Sequence, residues 1–91
     1  MIDELTTELK LMGCTPATIK AYTVHNQRFL DYIKKNPKEI QERDIKKYLG
    51  YLLADKKQRP ASVNLTLSSL KFYYETILKK KIFDEIKPPK K

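Results

Sequence analysis

The side chains with the greatest chemical potential in this sequence are Cys14 and His25, and each is the only residue of its type. A structural zinc site takes four Cys, His or carboxylate ligands, and no acidic pair at ligand spacing completes one here. The two glycines, Gly13 and Gly50, are too few for a phosphate-cradling loop. A reactive thiol needs a base or cation beside it, whereas Cys14 simply follows the turn predicted at Gly13. The sequence therefore predicts neither a metal site nor a bound cofactor.

Hydroxyl groups give no catalytic constellation either. Ser62, Ser68 and Ser69 fall in one predicted helix with no histidine in local reach. The six tyrosines mostly lie on or beside apolar stripes, which is typical of core residues rather than nucleophiles. We therefore expect this chain not to be an enzyme by itself.

Positive charge is the remaining source of chemistry. Nineteen Lys and Arg against eleven Asp and Glu give a formal net charge of +8, which favours nucleic acid, an anionic membrane surface or an acidic protein as partner. All eleven acids fall outside two windows, residues 9–30 and residues 56–74. Each window covers the start of a predicted helix, where unpaired N–H groups and the helix dipole favour a phosphate. The charge map therefore favours nucleic acid.

The candidate DNA-binding residues share these windows and carry either a positive charge or a hydrogen-bond donor. They are Thr18, Lys20, Arg28, Lys56, Lys57, Arg59, Ser62, Asn64 and Lys71. The cations would contact backbone phosphates and the polar side chains would donate hydrogen bonds. Two helix starts lying side by side would present these groups to one duplex. The bland alternative is that Thr15 and Ser62 are ordinary helix caps and the windows are merely acid-free.

Four helical patterns must position these residues. They cover about residues 2–12, the stretch from Thr15-Pro16 to Asn36-Pro37, and about residues 41–55 and 61–79. Gly13 stops the first helix, and Thr15 with Pro16 opens the second. The fourth is apolar on two sides, which predicts a central position in the fold. With no strand pattern, the fold class is all-α: a four-helix bundle that allows a short fifth helix near residues 82–86.

Three positions carry more specific expectations. Asn26 shares the apolar face of helix 2, so it should bond to a neighbouring backbone or lie at the core margin. Gly50 inside helix 3 costs about 1 kcal/mol relative to alanine, which favours a close helix–helix approach there. Leu65 and Phe72 form a second apolar stripe on helix 4. That stripe supports an alternative function, a protein-interaction module that docks a partner helix without binding DNA.

Domain organisation and location follow from composition. Residues 1–86 are predicted to form one helical domain, and residues 87–91, KPPKK, a basic Pro-rich linker. No apolar run approaches the roughly 18 residues of a membrane span, and Asp3 and Glu4 oppose a secretory signal. No helix combines a basic face with exposed large apolar residues, which disfavours membrane-surface binding. We expect a cytoplasmic protein without a membrane partner.

The order of motifs resembles a known family. TPATIKAYTVHNQRFLDYI, KEIQERDIKKYLGYLL and PASVNLTLSSLKFYYETIL resemble the second, third and fourth helices of the N-terminal core-binding domain of tyrosine recombinases, the phage integrases and Xer-type recombinases. IKPPKK is similar to the linker before their catalytic domain. The resemblance implies a SAM-like helical bundle that forms half of a C-shaped clamp around double-stranded DNA, with helices 2 and 4 facing the duplex. It assigns strand cleavage to a C-terminal catalytic domain absent from this chain.

The resemblance also assigns partners and positions. It implies double-stranded DNA, the parent's C-terminal catalytic domain and other protomers on DNA as partners. Thr18 and Lys20 match polar positions near the DNA-facing start of helix 2, with Arg28 further along. The matches in helix 4 and the loop before it are Lys57, Arg59, Ser62, Asn64 and Lys71. Ile2 and Leu5 would serve a protomer contact or internal packing. Gln41 departs from the family's threonine cap, which leaves the start of helix 3 open.

Overall fold

Four α-helices are present in the computed structural model, which describes residues 2–83 and 86. They are α1 (Ile2–Leu11), α2 (Pro16–Ile33), α3 (Glu42–Gly50) and α4 (Pro60–Lys71). A short 3₁₀ turn, Pro37–Glu39, separates α2 from α3. Wider π-helical turns extend α3 over Tyr51–Asp55 and α4 over Phe72–Ile77. The described residues contain no strand, and the predicted all-α class is confirmed.

The turn between α1 and α2 has the predicted chemistry. Gly13 has a φ of 76°, a left-handed conformation that glycine adopts without a Cβ clash. The Thr15 side chain caps α2 by accepting a hydrogen bond from the Thr18 backbone N–H at 3.3 Å, and Pro16 occupies the first turn. The pattern that predicts a first helix over about residues 2–12 counts Met12 as its last apolar position, but Met12 is 61% exposed because it lies in the turn beyond the last helical residue.

The start of α3 depends on one carboxylate. The Gln41 backbone N–H donates to Asp44 Oδ2 at 2.9 Å, and Lys35 Nζ donates to Asp44 Oδ1 at 3.0 Å. Burial by itself would raise the pKa of Asp44. The Gln41 hydrogen bond and the Lys35 ammonium outweigh burial, and the pKa of Asp44 lies below its usual range. Asp44 thus stabilises the start of α3 from the third helical position, with Gln41 as the N-cap residue, and α3 begins at Glu42.

The π-helical turns after α3 and after α4 end in the same way. After α3 the Lys56 N–H donates to the Tyr51 carbonyl at 3.0 Å, and after α4 the Leu78 N–H donates to the Tyr73 carbonyl at 3.2 Å. The next residue in each case has a positive φ, and Lys57 adopts 50°. The chain then enters α4 with Arg59 as the N-cap residue, without a side-chain cap. The alternative that Ser62 is the cap of this helix is wrong, because Ser62 already lies in the first turn of α4.

The core joins all four helices around Phe29. This side chain is fully buried on α2, with its ring centroid 5.1 Å from that of Tyr48 and 6.2 Å from that of Tyr74. Leu5 and Leu9 of α1 are also buried in this core. Leu5 is therefore a packing residue and not a protomer contact, and the side chain of Ile2 lies outside the described part of the chain.

Helices α2 and α4 pack against each other in opposite directions. Tyr22 meets Phe72 edge to face at 5.7 Å, whereas His25, one turn later on α2, meets Thr66, earlier on α4. Between these contacts Asn26 is buried, and its Nδ2 donates to the Tyr22 carbonyl at 2.9 Å and across the helix pair to the Ser69 carbonyl at 3.0 Å. The predicted backbone bond of Asn26 is confirmed, and it ties α2 to α4.

The segment after α4 covers one side of the core. Phe83 is buried, with its ring 6.4 Å from that of Tyr74. Residues 81–83 and 86 are not helical, although the Ile86 N–H donates to the Phe83 carbonyl at 3.1 Å. The rest of the suggested fifth helix, residues 84 and 85, and the predicted linker at 87–91 lie outside the described residues.

Gly50 has no packing role. A Cβ added at Gly50 would meet nothing within 4 Å, and its φ of −61° is helical. The predicted close helix approach is therefore wrong. Gly50→Ala is expected to raise the free energy of unfolding by about 1 kcal/mol, because alanine has less backbone freedom to lose. Urea denaturation followed by circular dichroism measures this change.

Gly13→Ala is the matched control for Gly50→Ala. Space is open around Gly13 as well, but its positive φ penalises a side chain. It should lower the free energy of unfolding by about 1 kcal/mol. Equal shifts in the two variants would contradict the backbone explanation.

Candidate nucleic-acid interface

The two helix starts do not lie together. Because α2 and α4 are antiparallel, as the Tyr22–Phe72 and His25–Thr66 contacts require, their N-termini are at opposite ends of the pair. The expectation that both starts face one duplex side by side is wrong. The sequence pattern could not reveal this, since acid-free windows give no helix direction in space. The candidate residues must instead be grouped by the faces on which they lie.

One exposed face follows the contact between α2 and α4. Arg28 lies one turn after His25, and Ser62 lies one turn before Thr66, so the antiparallel packing brings these two exposed residues to the same end. Leu65, on the same side of α4, is 46% exposed. We call this face the seam surface: its exposed residues are Arg28, Ser62 and Leu65, and Lys20 lies further along α2. Thr18, two residues before Lys20, lies on a different side of α2.

The loop of residues 56–59 adds positive charge at the end where Arg28 and Ser62 lie. Arg28, Lys56 and Gln58 line one cleft. Lys57 and Arg59 are exposed, and the first turn of α4 has no acidic residue. We call Arg28, Lys56, Lys57 and Arg59 the cationic end of the seam surface. Four of the nine predicted residues are thus brought together, with Ser62 beside them.

The opposite end of the seam surface is less charged. Lys20 is exposed, and it shares a row of i+4 spacings with Arg28. The Thr18 hydroxyl accepts a hydrogen bond from the Thr15 hydroxyl at 3.1 Å, so it is partly engaged in capping α2. Eight positions separate Lys20 from Arg28, which is about 12 Å along a helix. The seam surface is therefore a strip and not a point.

Asn64 and Lys71 lie elsewhere. They line a cavity of about 400 Å³ between α4 and the segment after it, together with Leu67, Ser68 and Phe83. The Asn64 Oδ1 atom is buried and has no hydrogen-bond partner among the described residues. This cavity is on the side of α4 away from the Tyr22–Phe72 contact, because these residues follow a different helical stripe. The structure separates them from the other seven predicted residues.

His25 is a residue to which sequence reasoning gave no role. Its Nδ1 lies 3.1 Å from the Thr66 hydroxyl, in the contact between the two helices. Burial lowers the pKa of His25, and the nearby Arg28 charge lowers it further. His25 is therefore neutral at pH 7 and contributes no charge to the strip. His25 lies three residues before Arg28, and this spacing was the sequence signal that the two residues are neighbours on α2.

Acidic residues gather on another part of the molecule. A groove between α1 and the Phe72–Ile77 turn is lined by Asp3, Glu4 and Glu8. Two acids lie near the cationic end: Asp31, which shares the cleft with Arg28 and accepts a hydrogen bond from Gln27 Nε2 at 3.0 Å, and the exposed Asp55, which directly precedes Lys56. The acidic groove on α1 is a different surface from the cationic end.

Comparison with known proteins gives a matching family and five matching chains of solved structures. The family model described as "Phage integrase, N-terminal SAM-like domain" matches residues 1–84. The crystal structure of XerA recombinase matches with a TM-score of 0.85 at 24% sequence identity, over 97% of this chain and 32% of that chain. At that identity the likeness shows the fold, and the chain spans about a third of the length of that recombinase. No curated protein matches this chain.

Two absences complete the description of the surface. In residues 2–83 and 86, no group of three or more His, Cys, Asp or Glu side chains is placed to hold a metal ion. Within the same part of the chain, every helix is too short or too polar to cross a membrane.

Proposed function

This chain belongs to the phage integrase N-terminal SAM-like domain family, and we propose that it is the DNA-binding core-binding domain of a site-specific tyrosine recombinase. In this proposal it clamps duplex DNA with the seam surface of α2 and α4, for DNA integration or recombination. The observation that carries the proposal is the cationic end, where Arg28 and Lys56 line one cleft and the exposed Lys57 and Arg59 follow in the loop before an acid-free helix start.

Residue roles follow from exposure and chemistry. Lys57 and Arg59 contact backbone phosphates, since both are exposed and neither has a salt-bridge partner among the described residues. Arg28 extends the contact onto α2, and Lys20 reaches a phosphate further along the strip. Ser62 donates a hydrogen bond beside them. These contacts position the duplex, whereas base reading is slight because few side chains here suit bidentate contacts.

Catalysis is assigned to another part of the parent recombinase. Tyr73 and Tyr74 are buried, and burial raises the pKa of both hydroxyls. A buried, neutral phenol is a poor nucleophile toward a DNA phosphate. We therefore propose that this domain binds but does not cut, in the cytoplasm, and that a C-terminal catalytic domain and other protomers are its further partners.

The alternative of a helix-docking module has less support. Phe72 is half-buried, with its ring packed edge to face on Tyr22, so it belongs to the contact between α2 and α4. Leu65 remains as an exposed side chain on the seam surface. The predicted stripe is thus divided, and it offers no continuous apolar groove for a partner helix.

Salt dependence tests the proposed function. The affinity for a blunt duplex should fall steeply between about 50 and 200 mM salt, because each neutralised phosphate releases counterions. Lys57→Ala and Arg59→Ala should each flatten the plot of log K against log salt by about one unit. Fluorescence anisotropy of a labelled duplex measures both quantities.

Lys71→Ala is the matched control for these two substitutions. It also removes one positive charge, but Lys71 is the last residue of α4 and lies on the side of that helix away from the seam surface. Its salt slope should stay near that of the unchanged chain. A loss with Lys71→Ala equal to that of Lys57→Ala would move the interface to the other side of α4. An affinity that does not change with salt would refute duplex binding.

A further inference from the structure

A cleft beside the cationic end has an aromatic wall. The Tyr32 and Tyr51 rings stack with centroids 4.5 Å apart and planes inclined by 30°, and Tyr48 lies 5.2 Å from Tyr32 behind them. Tyr48 is buried, whereas Tyr32 and Tyr51 are half-buried and line the cleft. Only part of this cluster is therefore core, and the remainder is a flat apolar surface open to a ligand.

Cations flank the aromatic wall. Lys56 Nζ lies 6.0 Å from the centroid of the Tyr51 ring, within reach of a cation–π contact. Arg28 lines the same cleft. Burial raises the pKa of the Tyr48 hydroxyl, and the nearby Arg28 charge opposes this rise. An aromatic face with a Lys and an Arg beside it combines the two features that bind a base and its phosphate.

Hydrogen-bonding groups complete the lining. Gln58 presents an amide, which both donates and accepts, and Asp31 presents a carboxylate. The carboxylate repels a phosphate but accepts a hydrogen bond from an exocyclic amine or ring N–H of a base. The polar groups therefore favour one orientation, with the phosphate toward Lys56 and the edge of the base toward Asp31.

The size of the cleft fits one nucleotide. Its volume is about 460 Å³, in the range of sites for small organic ligands. A base inside a duplex has both faces covered by its neighbours and cannot reach the Tyr51 ring. A base outside the stack can, and base–aromatic stacking is a stronger contact than the exposed cation–π contact that it would displace. Lys56 is then released toward the phosphate.

We propose that the cleft between Tyr51, Lys56 and Arg28 binds an unpaired nucleotide, with the base stacked on Tyr51 and its phosphate held by the two cations. This inference rests on the proposed function, because it takes nucleic acid to be the ligand of this domain. Because Arg28 belongs both to the cleft and to the cationic end, the unpaired nucleotide would lie next to the bound duplex.

Three probes test the cleft: a short blunt duplex, the same duplex with a single-stranded thymidine tail, and a free oligothymidylate. The tailed duplex should bind about tenfold more tightly than the blunt one, as stacking of one base would give. Tyr51→Leu should abolish that advantage and leave the affinity for the blunt duplex unchanged. Tyr51→Phe, which keeps the ring, should retain it.

Intrinsic fluorescence provides a readout that needs no variant. The sequence has no tryptophan and six tyrosines, so its ultraviolet emission comes from tyrosine. Saturable quenching of this emission by oligothymidylate is expected, and it should be lost in Tyr51→Leu. The absence of quenching in the unchanged chain would overturn the proposal even if Tyr51→Leu failed to fold.

The remaining outcomes separate the cleft from the duplex surface. Equal affinities for blunt and tailed duplex would overturn the cleft and leave duplex binding intact. An equal loss of affinity for both duplexes in a Tyr51→Leu variant that circular dichroism shows to be folded would also overturn the cleft. If the blunt duplex did not bind but oligothymidylate quenched through Tyr51, the proposed duplex function would fail and the cleft would stand.

Discussion

Replacing Lys57 and Arg59 together by glutamate is expected to weaken duplex binding by at least about 100-fold at low salt. A hydrogen bond to a charged group contributes about 1.5–3 kcal/mol, and each 1.4 kcal/mol is a factor of ten in affinity. Two lost phosphate contacts therefore account for about 100-fold, and the introduced carboxylates add repulsion. Fluorescence anisotropy with a blunt duplex measures the loss.

The effect should be local, and a second double variant tests this. Arg43 and Lys47 are exposed on the solvent face of α3, which contacts α2 through Tyr48. Arg43→Glu with Lys47→Glu lowers the net charge from +8 to +4, as the Lys57 and Arg59 reversals do. Only long-range, salt-screened attraction should be lost in this control.

Equal losses in the two double variants would contradict a defined interface. They would indicate that the net charge attracts DNA to the whole molecule. Circular dichroism of both variants is needed to establish that they fold, and exposed loop substitutions are expected to change the free energy of unfolding little.

The helices themselves could be predicted from the sequence because each has local signals at its ends. Gly13, Thr15 and Pro16 mark the turn between α1 and α2, and the structure uses them as predicted. Asn26 is a polar residue on an apolar face, which predicted a hydrogen bond to a neighbouring backbone, and its bond to the Ser69 carbonyl confirms that prediction. These signals are local, so a single sequence contains them.

Errors arose where the answer depends on neighbours in space. Gly50 suggested a close helix–helix approach, but no atom lies within 4 Å of a Cβ built there. A glycine in a helix is compatible with close packing and with simple exposure, and the sequence alone does not distinguish the two. Ser62 suggested a cap, but the αL conformation of Lys57 and the extended Arg59 bring the helix start forward to Pro60. Met12 fitted a helical period that the chain leaves one residue earlier.

The candidate site was predictable in composition but not in arrangement. The acid-free windows identified Arg28, Lys56, Lys57 and Arg59, and three of these four share one loop. Periodicity could not show that α2 runs antiparallel to α4, which places Lys20 at the far end. It could not separate Asn64 and Lys71 from the strip either, because that requires knowing which side of α4 faces α2. The sequence did not predict the cleft at Tyr51, because the tyrosines that line it were interpreted as core residues.

The core beneath these charges is centred on Phe29, and Phe29→Ala should remove much of the stability of the domain. Phe29 is fully buried and touches rings from α3 and α4, one residue from Arg28. Emptying this space should lower the free energy of unfolding by about 3–5 kcal/mol. That is a large part of the roughly 5–14 kcal/mol expected for a domain of this size. Urea denaturation followed by circular dichroism measures it.

Phe72→Ala is the control, since it removes the same side chain from a half-buried position against Tyr22. Its cost should be clearly smaller, at about 1–2 kcal/mol, because less apolar area leaves water there. A similar cost for both variants would show that Phe29 is not the centre of the core. In the folded fraction of Phe29→Ala, duplex affinity should be retained, since the lost ring supports the cations without touching DNA. Loss of affinity in fully folded protein would instead mean that core packing sets the position of Arg28.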